Sequence, residues 1–413
     1  APLLFPRRRN TRPASLAAGL LLCQAAGTAS DCAVPGEAVV VGEPLAAAGV
    51  APVARAPVPH AANTLYSHGD PTPQEQLMLE LVNRARANPA AEAARLGLDL
   101  NQGLPPGTIS PDPKPPLAFH PLLIAAARTH SDWMLAHDIF SHEGVDGSTP
   151  GDRMRAEGYV FSGSWTWGEN IAWQGTTGTA NLNQFTVNEH EGLFRSPGHR
   201  QNLMNAAFDE VGIGVRSGVF TVISDTTGLA VNYNAVMTTQ NFARSASTPG
   251  PLVLGVVYRD ADGDGFYTPG EGVADVTVQP AAGNYYAVTS TSGGFAFPAP
   301  VTAGSLTVTF SSPGLAVPVS RTVALSTVNV KVDLNLAQDM PLTFVPGSFG
   351  LTASKQFRFD LAGPVGARAR VEHSYDLVTW QPLGTYTLQG GKVTVTDPQG
   401  LQARRSYRAV LVP

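Results

Sequence analysis

Hydrophobic residues in this chain follow one period and then another, and no other feature constrains the fold as much. From Leu77 to about Met204 the apolar side chains recur mostly at helical spacing. From about Glu210 onward they fall in short alternating or aromatic runs broken by Gly, Pro, Asn and Asp. Helices followed by strands predict a helical layer closed by an antiparallel sheet, and then further all-β units. In "PTPQEQLMLELVNRARANP" one helical face holds Leu77, Leu81 and Ala85, with Met78 and Val82 beside it. Thr72 is placed to cap this helix, Pro73 suits its first turn, and Glu75 completes a capping box. Asn88-Pro89 ends it. A second helix is expected over 121–137 and a third over 183–195, with a short helix beginning near His199 after the Pro197-Gly198 break. "EVGIGVRSG", "GVFTVIS" and "NYNAVMTTQNFAR" read as three strands.

The length of 413 residues suits two to four domains. With 42 Gly and 34 Pro and only 14% charged residues, the chain reads as globular and rich in turns. A net charge of −5 and the lack of any basic stripe argue against nucleic acid as a partner. Residues 1–30 read as a signal peptide: Arg7, Arg8, Arg9 and Arg12 precede a short apolar run and small residues. Cys23 lacks the small residue before it that a lipoprotein signal needs. Cys23 and Cys32 are the only cysteines, so the later domains are built without disulfides. Residues 31–70 are rich in Ala and Pro and read as a linker. No later stretch is apolar and long enough for a transmembrane anchor. The reading is therefore of a secreted protein, extracellular or associated with a cell surface.

Five motifs occur in order: "LVNRARANP", "AARTHSDWMLAHDIFSHEGVDGSTPGDRM", "WGENIAW", "SPGHRQNLMNAAFDEVGIGV" and "TTQNF". Together they resemble the bacterial branch of the CAP superfamily, the SCP-domain proteins that include cysteine-rich secretory, antigen 5 and pathogenesis-related proteins. The resemblance implies an α+β domain over 71–246, an α-β-α sandwich whose central groove holds two His and two Glu. It assigns His142, His199 and Glu169 to that groove. The family's second carboxylate falls here at Ser196 or Pro197, with Glu189, His190 and Glu191 one or two turns earlier as possible accessory residues. Two imidazoles and a carboxylate would make a Zn²⁺ set with an open position for water. The alternative is that these groups hydrogen-bond one another and shape the groove without turning anything over. His130 lies on its helix's apolar stripe and reads as a core histidine. Ser196 has no G-x-S-x-G elbow around it and does not read as a nucleophile. Trp165, Trp167 and Trp173 read as packing residues.

"DADGDGFYTPGE" meets the calcium-loop pattern D-x-D-x-D-G-x₅-E. Asp260, Asp262 and Asp264 supply three side chains, the Phe266 carbonyl and Thr268 two further positions, and Glu271 the last. Its flanks have strand character, so a bound Ca²⁺ would lock a loop between strands. With "GEGVADVTV", this stretch resembles the calcium-binding B-type repeats of bacterial surface adhesins, which implies a structural cation in a β-sandwich over 251–338. Residues 341–413 read as a second small β-sandwich, with Trp380 and Tyr407 in its core. The leading functional expectation is extracellular binding of a small apolar or glycan ligand, or a cell-surface glycan or lipid. The alternatives are a Zn-assisted hydrolase of peptidase type using the same His/Glu cluster, and an adhesin-like structural protein. Of these, a non-enzymatic role is favoured.

Overall fold

The structure, a computed structural model, describes the backbone of residues 37–40 and residues 64–224, 228–300, 304–313, 315, 317–340, 342–399 and 405–412. The export-signal reading, both cysteines and most of the 31–70 stretch lie outside the described residues. Within that stretch two short strands form, β1 (Glu37–Val40) and β2 (Thr64–Leu65). Each joins a sheet built much later in the chain, β1 beside Tyr407–Val410 and β2 beside Tyr285–Tyr286.

Helix α1 (Pro73–Ala87) begins with the expected capping box: Thr72 Oγ1 accepts from the Glu75 amide at 3.2 Å, and Glu75 Oε2 accepts from the Thr72 amide at 2.8 Å. Asn88 ends α1 and at once caps α2 (Pro89–Arg95), accepting from the Ala91 amide. Next come β3 (Ala118–Phe119), α3 (Pro121–His137), α4 (Pro150–Ala156) and β4 (Thr166–Thr176). The series closes with α5 (Leu182–Arg195), α6 (Pro197–Leu203), β5 (Glu210–Ile223) and β6 (Ala230–Arg244). The four strands lie in the order β3-β5-β6-β4.

The region expected to give two strands before "NYNAV" is one continuous strand. Ser217 and Gly218 pair in register with Val236 and Ala235, so no turn interrupts β5. Its glycines serve a helix contact instead. A Cβ on Gly212 would stand 1.9 Å from the Leu123 carbonyl carbon, and one on Gly214 would stand 2.5 Å from that of Ala127. The bare strand lets α3 lie directly on one face of the sheet. From the other face, Ile213, Val236 and Phe242 pack with Met78 and Val82 of α1 and Leu193 and Phe194 of α5. Each such buried side chain contributes about 1.5–3 kcal/mol.

After residue 250 the regular structure of the described residues is strand, apart from one 3₁₀ turn at Gln389–Gly391. β7 (Leu252–Tyr258), β8 (Thr277–Pro280), β9 (Tyr285–Val288), β10 (Gly294–Pro298) and β11 (Ser305–Ser311) come first. β12 (Val319–Ala324), β13 (Val330–Lys331) and β14 (Leu334–Asn335) complete the set. One sheet runs β10-β7-β13 with β14 also on β7; the other runs β12-β11-β8-β9-β2. Val253, Phe295 and Phe297 of the first share a core with Val278, Val308 and Phe310 of the second. This core is joined to the helical part through α1: Leu77 and Leu81 pack on Val256, Tyr258 and Tyr267, and Lys331 Nζ meets Glu80 Oε2 at 2.8 Å.

The last strands are β15 (Thr343–Phe344), β16 (Gly350–Leu351), β17 (Phe357–Ala362), β18 (Arg368–Ser374), β19 (Gln381–Thr387), β20 (Lys392–Thr396) and β21 (Ser406–Val412). They form sheets β15-β17-β16, with β20 on β17, and β1-β21-β18-β19. Phe359, Leu361, Val371 and Val395 fill the core, with Tyr407 packed against it. Trp380, expected in that core, lies outside it; the Arg408 guanidinium sits 4.5 Å from the centre of its ring. Among the described residues no helix is long and apolar enough to cross a membrane.

Candidate functional site

The site is assembled from four short segments. β4 carries Glu169 after Gly168, where a side chain has no room: a Cβ would lie 2.9 Å from Phe208 Cζ. Glu169 is buried, and both of its oxygens are committed. Oε1 accepts from His142 Nδ1 at 2.8 Å, and Oε2 accepts from Arg153 Nη2 at 2.6 Å. Arg153, on α4, also donates to the carbonyls of His142 at 3.0 Å and Ser148 at 2.8 Å. One guanidinium thus holds the carboxylate and the loop that carries His142.

His199 sits in the first turn of α6. Ser196 occupies the N-cap of that helix, where a hydroxyl would ordinarily take a backbone amide. Here Ser196 makes no such cap bond, and its Oγ lies 2.8 Å from His199 Nδ1. Ser196 therefore does for His199 what Glu169 does for His142, with a neutral hydroxyl in place of a carboxylate. Each imidazole is anchored through Nδ1, and neither Nε2 makes a hydrogen bond among the described residues. Among the described residues no carboxylate bonds the far side of His199, so they form no Ser-His-acid triad there. Burial and the nearby His142 both push the His199 pKa down.

Two asparagines tie the segments together. Asn170 Nδ2 donates to the His199 carbonyl at 3.3 Å, and Asn202 Nδ2 donates to the Glu169 carbonyl at 3.2 Å and to Asn170 Oδ1 at 2.9 Å. Two buried arginines fix the "SPGHRQNLMN" turn from behind. Arg200 donates to the Phe194 carbonyl at 2.8 Å, and Arg86 donates to those of Leu203 at 2.8 Å and Asn205 at 2.9 Å. His130 is buried, as its place on the stripe suggests. Its Nε2 lies 2.9 Å from the Ser141 carbonyl, one residue before His142, and its ring stacks on Trp133. Burial lowers its pKa.

The accessory residues go elsewhere. His190 Nε2 lies 3.1 Å from Glu92 Oε1, and Glu191 pairs with Arg95 at 2.8 Å, so both belong to contacts with α2. Glu189 is buried under α5, where it accepts from Thr238 Oγ1 at 2.5 Å; burial pushes its pKa up to about 8. Trp167 and Trp173 pack into apolar clusters, whereas Trp165 is 46% exposed beside Phe161 and Arg155. Arg153, Asn170 and Asn202 escaped the sequence reading. The "GEN" and "HRQN" motifs held the signal for the asparagines, because each places one beside a site residue.

In the acidic loop between β7 and β8, Asp260, Asp262 and Asp264 bring carboxylate oxygens within 4.8 Å of one another. Among the described residues no other group of three His, Cys, Asp or Glu side chains does so. His142, Glu169 and His199 therefore do not form such a set here. Asp260 is buried and accepts from the Gly263 and Gly265 amides at 2.8 and 3.1 Å and from Asn335 Nδ2 at 3.2 Å. Glu271 stands apart from the trio and braces the loop, accepting from the Ala261 amide at 2.7 Å and the Thr268 amide at 2.9 Å. Thr268 Oγ1 donates to Asp262 Oδ2 at 3.3 Å.

Residues 79–219 match the profile of the cysteine-rich secretory protein family, CAP. No curated protein matches the chain. Among solved structures, an extracellular protein containing an SCP domain from Bacillus anthracis str. Ames is 25% identical, with a TM-score of 0.27, over 42% of this chain and 40% of that one. An outer surface protein from Borrelia burgdorferi is 16% identical, with a TM-score of 0.25, over 42% of this chain and 92% of that one. The match thus spans less than half the length of the Bacillus protein. His142, Glu169, Ser196 and His199 all fall inside the family match, and the acidic loop falls outside it.

Proposed function

We propose, from the premise of a CAP domain over residues 79–219, that this chain is an extracellular or surface-associated binding protein whose CAP groove takes a small apolar or glycan ligand. The observation that carries this reading is the state of Glu169. A general base must have an oxygen to offer a water or a substrate proton. Glu169 spends one oxygen on Arg153 and the other on His142. Neither imidazole Nε2 makes a hydrogen bond among the described residues, and such a pair of ring nitrogens suits accepting from or donating to a polar group on a ligand.

A second reading, the Zn-assisted hydrolase, has one observation in its favour. A carboxylate on Nδ1 with Nε2 outward is the arrangement that orients a metal-binding histidine. Zinc sites of the catalytic kind take three protein ligands. As a third ligand Glu169 would have to share its oxygens with Arg153 and His142, and this favours binding over turnover. Metal analysis of the purified full chain, with a peptide and ester substrate panel on wild type and His199→Ala, separates the two. The binding reading expects no stoichiometric zinc and no turnover. One zinc per chain with turnover lost in His199→Ala would replace it with the hydrolase.

We further read residues 251–338 and 341–413 as β-sandwich modules, the first resembling an adhesin B-type repeat with calcium in the acidic loop. Three converging carboxylates repel one another, and a hard divalent cation would relieve that repulsion with its preferred oxygen donors. Asp260, Asp262 and Asp264 would hold it, with the Phe266 carbonyl, Thr268 and Glu271 completing the set on small movements of the loop. Chelation of the full chain should then lower the melting point of this region, and Asp262→Asn should remove the chelator's effect. A melt that chelation leaves unchanged would reject calcium here.

A further inference from the structure

A crevice of about 340 Å³ opens where the base of the CAP sheet meets the first β module. Asp209 and Glu210 at the start of β5, Arg244 at the end of β6, Thr248 of the connecting segment, and Val328 and Asn329 before β13 line it. Its walls are tied across the junction. Asn329 Nδ2 donates to the carbonyls of Asp209 at 2.7 Å and Pro116 at 3.1 Å, while its Oδ1 accepts from the Leu252 amide at 2.9 Å. The volume lies in the range of small-molecule sites.

The lining has an unbalanced charge. Arg244 clasps Asp209 through Nε at 2.5 Å and Nη2 at 2.8 Å, so these two cancel. Among the described residues Glu210 pairs with no cation. Its Oε2 accepts from the Tyr159 hydroxyl at 2.7 Å and the Thr248 hydroxyl at 2.9 Å. Its Oε1 is buried and has no hydrogen-bond partner among the described residues, although the residue is only 1% exposed. A buried acceptor left unsatisfied costs free energy that a donor would recover. An ionised carboxyl group accepts only, so an anion or a purely accepting ligand gains nothing from it.

We infer that this crevice is a second ligand site, separate from the His142–His199 groove, which takes a small molecule bearing a cationic nitrogen donor, with the ammonium or guanidinium head on Glu210 Oε1. Burial pushes the Glu210 pKa up to about 7; the Tyr159 and Thr248 hydroxyls oppose the shift and Asp209 adds to it. Tyr66, ahead of α1, also faces this charge. At pH 8 the carboxylate is ionised and ready for a cation.

The test is calorimetric titration of the full chain at pH 8 with 1,4-diaminobutane, and with succinate as a probe of similar length and opposite charge. The inference expects saturable uptake of one diamine per chain and none of succinate. Glu210→Gln should weaken the diamine at least tenfold. Val328→Trp, on the exposed rim, should block the crevice while leaving every Glu210 bond in place, so a misfolded Glu210 variant does not spare the idea. Absence of saturation by the diamine in folded wild type would overturn it. So would equal uptake of succinate, or wild-type affinity in Val328→Trp.

Discussion

Replacing Arg153 with methionine should be among the most damaging single changes in the CAP domain. Methionine keeps much of the aliphatic length and removes the guanidinium. The Glu169 side chain is 1% exposed and that of Arg153 10% exposed, so the pair is well shielded from water. Removing one partner of a buried ion pair costs about 3–5 kcal/mol, because the remaining charge is left uncompensated. The two bonds from Arg153 to the His142 and Ser148 carbonyls go with it, and the His142 loop loses its tether. For a unit of 150–250 residues, roughly 2–4 °C per kcal/mol puts the fall in melting temperature at about 6–20 °C. Arg153→Met with Glu169→Gln leaves no unpaired charge, so it should be more stable than Arg153→Met alone. Urea unfolding followed by tryptophan fluorescence measures wild type, each single variant and the double. If Arg153→Met costs less than about 1 kcal/mol, or if the two changes simply add, Glu169 is not the buried brace described above.

Other consequences follow from single residues. Gly212→Ala should destabilise the chain by about 3 kcal/mol or prevent folding, because its Cβ would overlap the Leu123 carbonyl of α3; a near-native urea midpoint would contradict that packing. Glu189 has its pKa raised by burial to about 8, so the folded state holds a proton that the unfolded chain releases near its ordinary value of 4.5. Its contribution is full at pH values below that unfolded value and is lost as pH rises through about 8. Glu189→Gln should therefore flatten the decline in stability between pH 5 and 8, and parallel profiles would refute the assignment. Lys331→Met should loosen the contact between α1 and the first β module by leaving Glu80 buried without its cation, seen as faster amide exchange in α1; unchanged exchange would remove that role.

Much of this architecture was legible in the chain, for identifiable reasons. Thr72 and Glu75 gave the start of α1 because a capping box is a local device that needs no tertiary partner. The alternation in "SLTVTF" marks a strand for the same reason. The glycines of β5 misled because their role is tertiary: they admit α3, and pattern alone cannot separate a helix contact from a turn. Seven-residue α4 is too short to show a period, so Arg153 could not be placed, and with it the true condition of Glu169 stayed hidden. Ser196 stood at the right position, but only the geometry shows its hydroxyl turned from the backbone to His199. His190 and Glu191 shared a helix with the site's turn yet face α2, which spacing near the end of a helix does not decide.

Under the proposed function His142 and His199 would form a binding surface for a ligand and would not be the ligands of a catalytic metal. Native mass spectrometry of the full chain tests it most directly, comparing wild type with the His142→Ala/His199→Ala variant after exposure to an extract of cell-surface lipids and glycans. The expected result is a bound organic species on wild type, lost from the variant, and no zinc in stoichiometric amount on either. One zinc per wild-type chain that disappears in the variant, with no organic species retained, would contradict it.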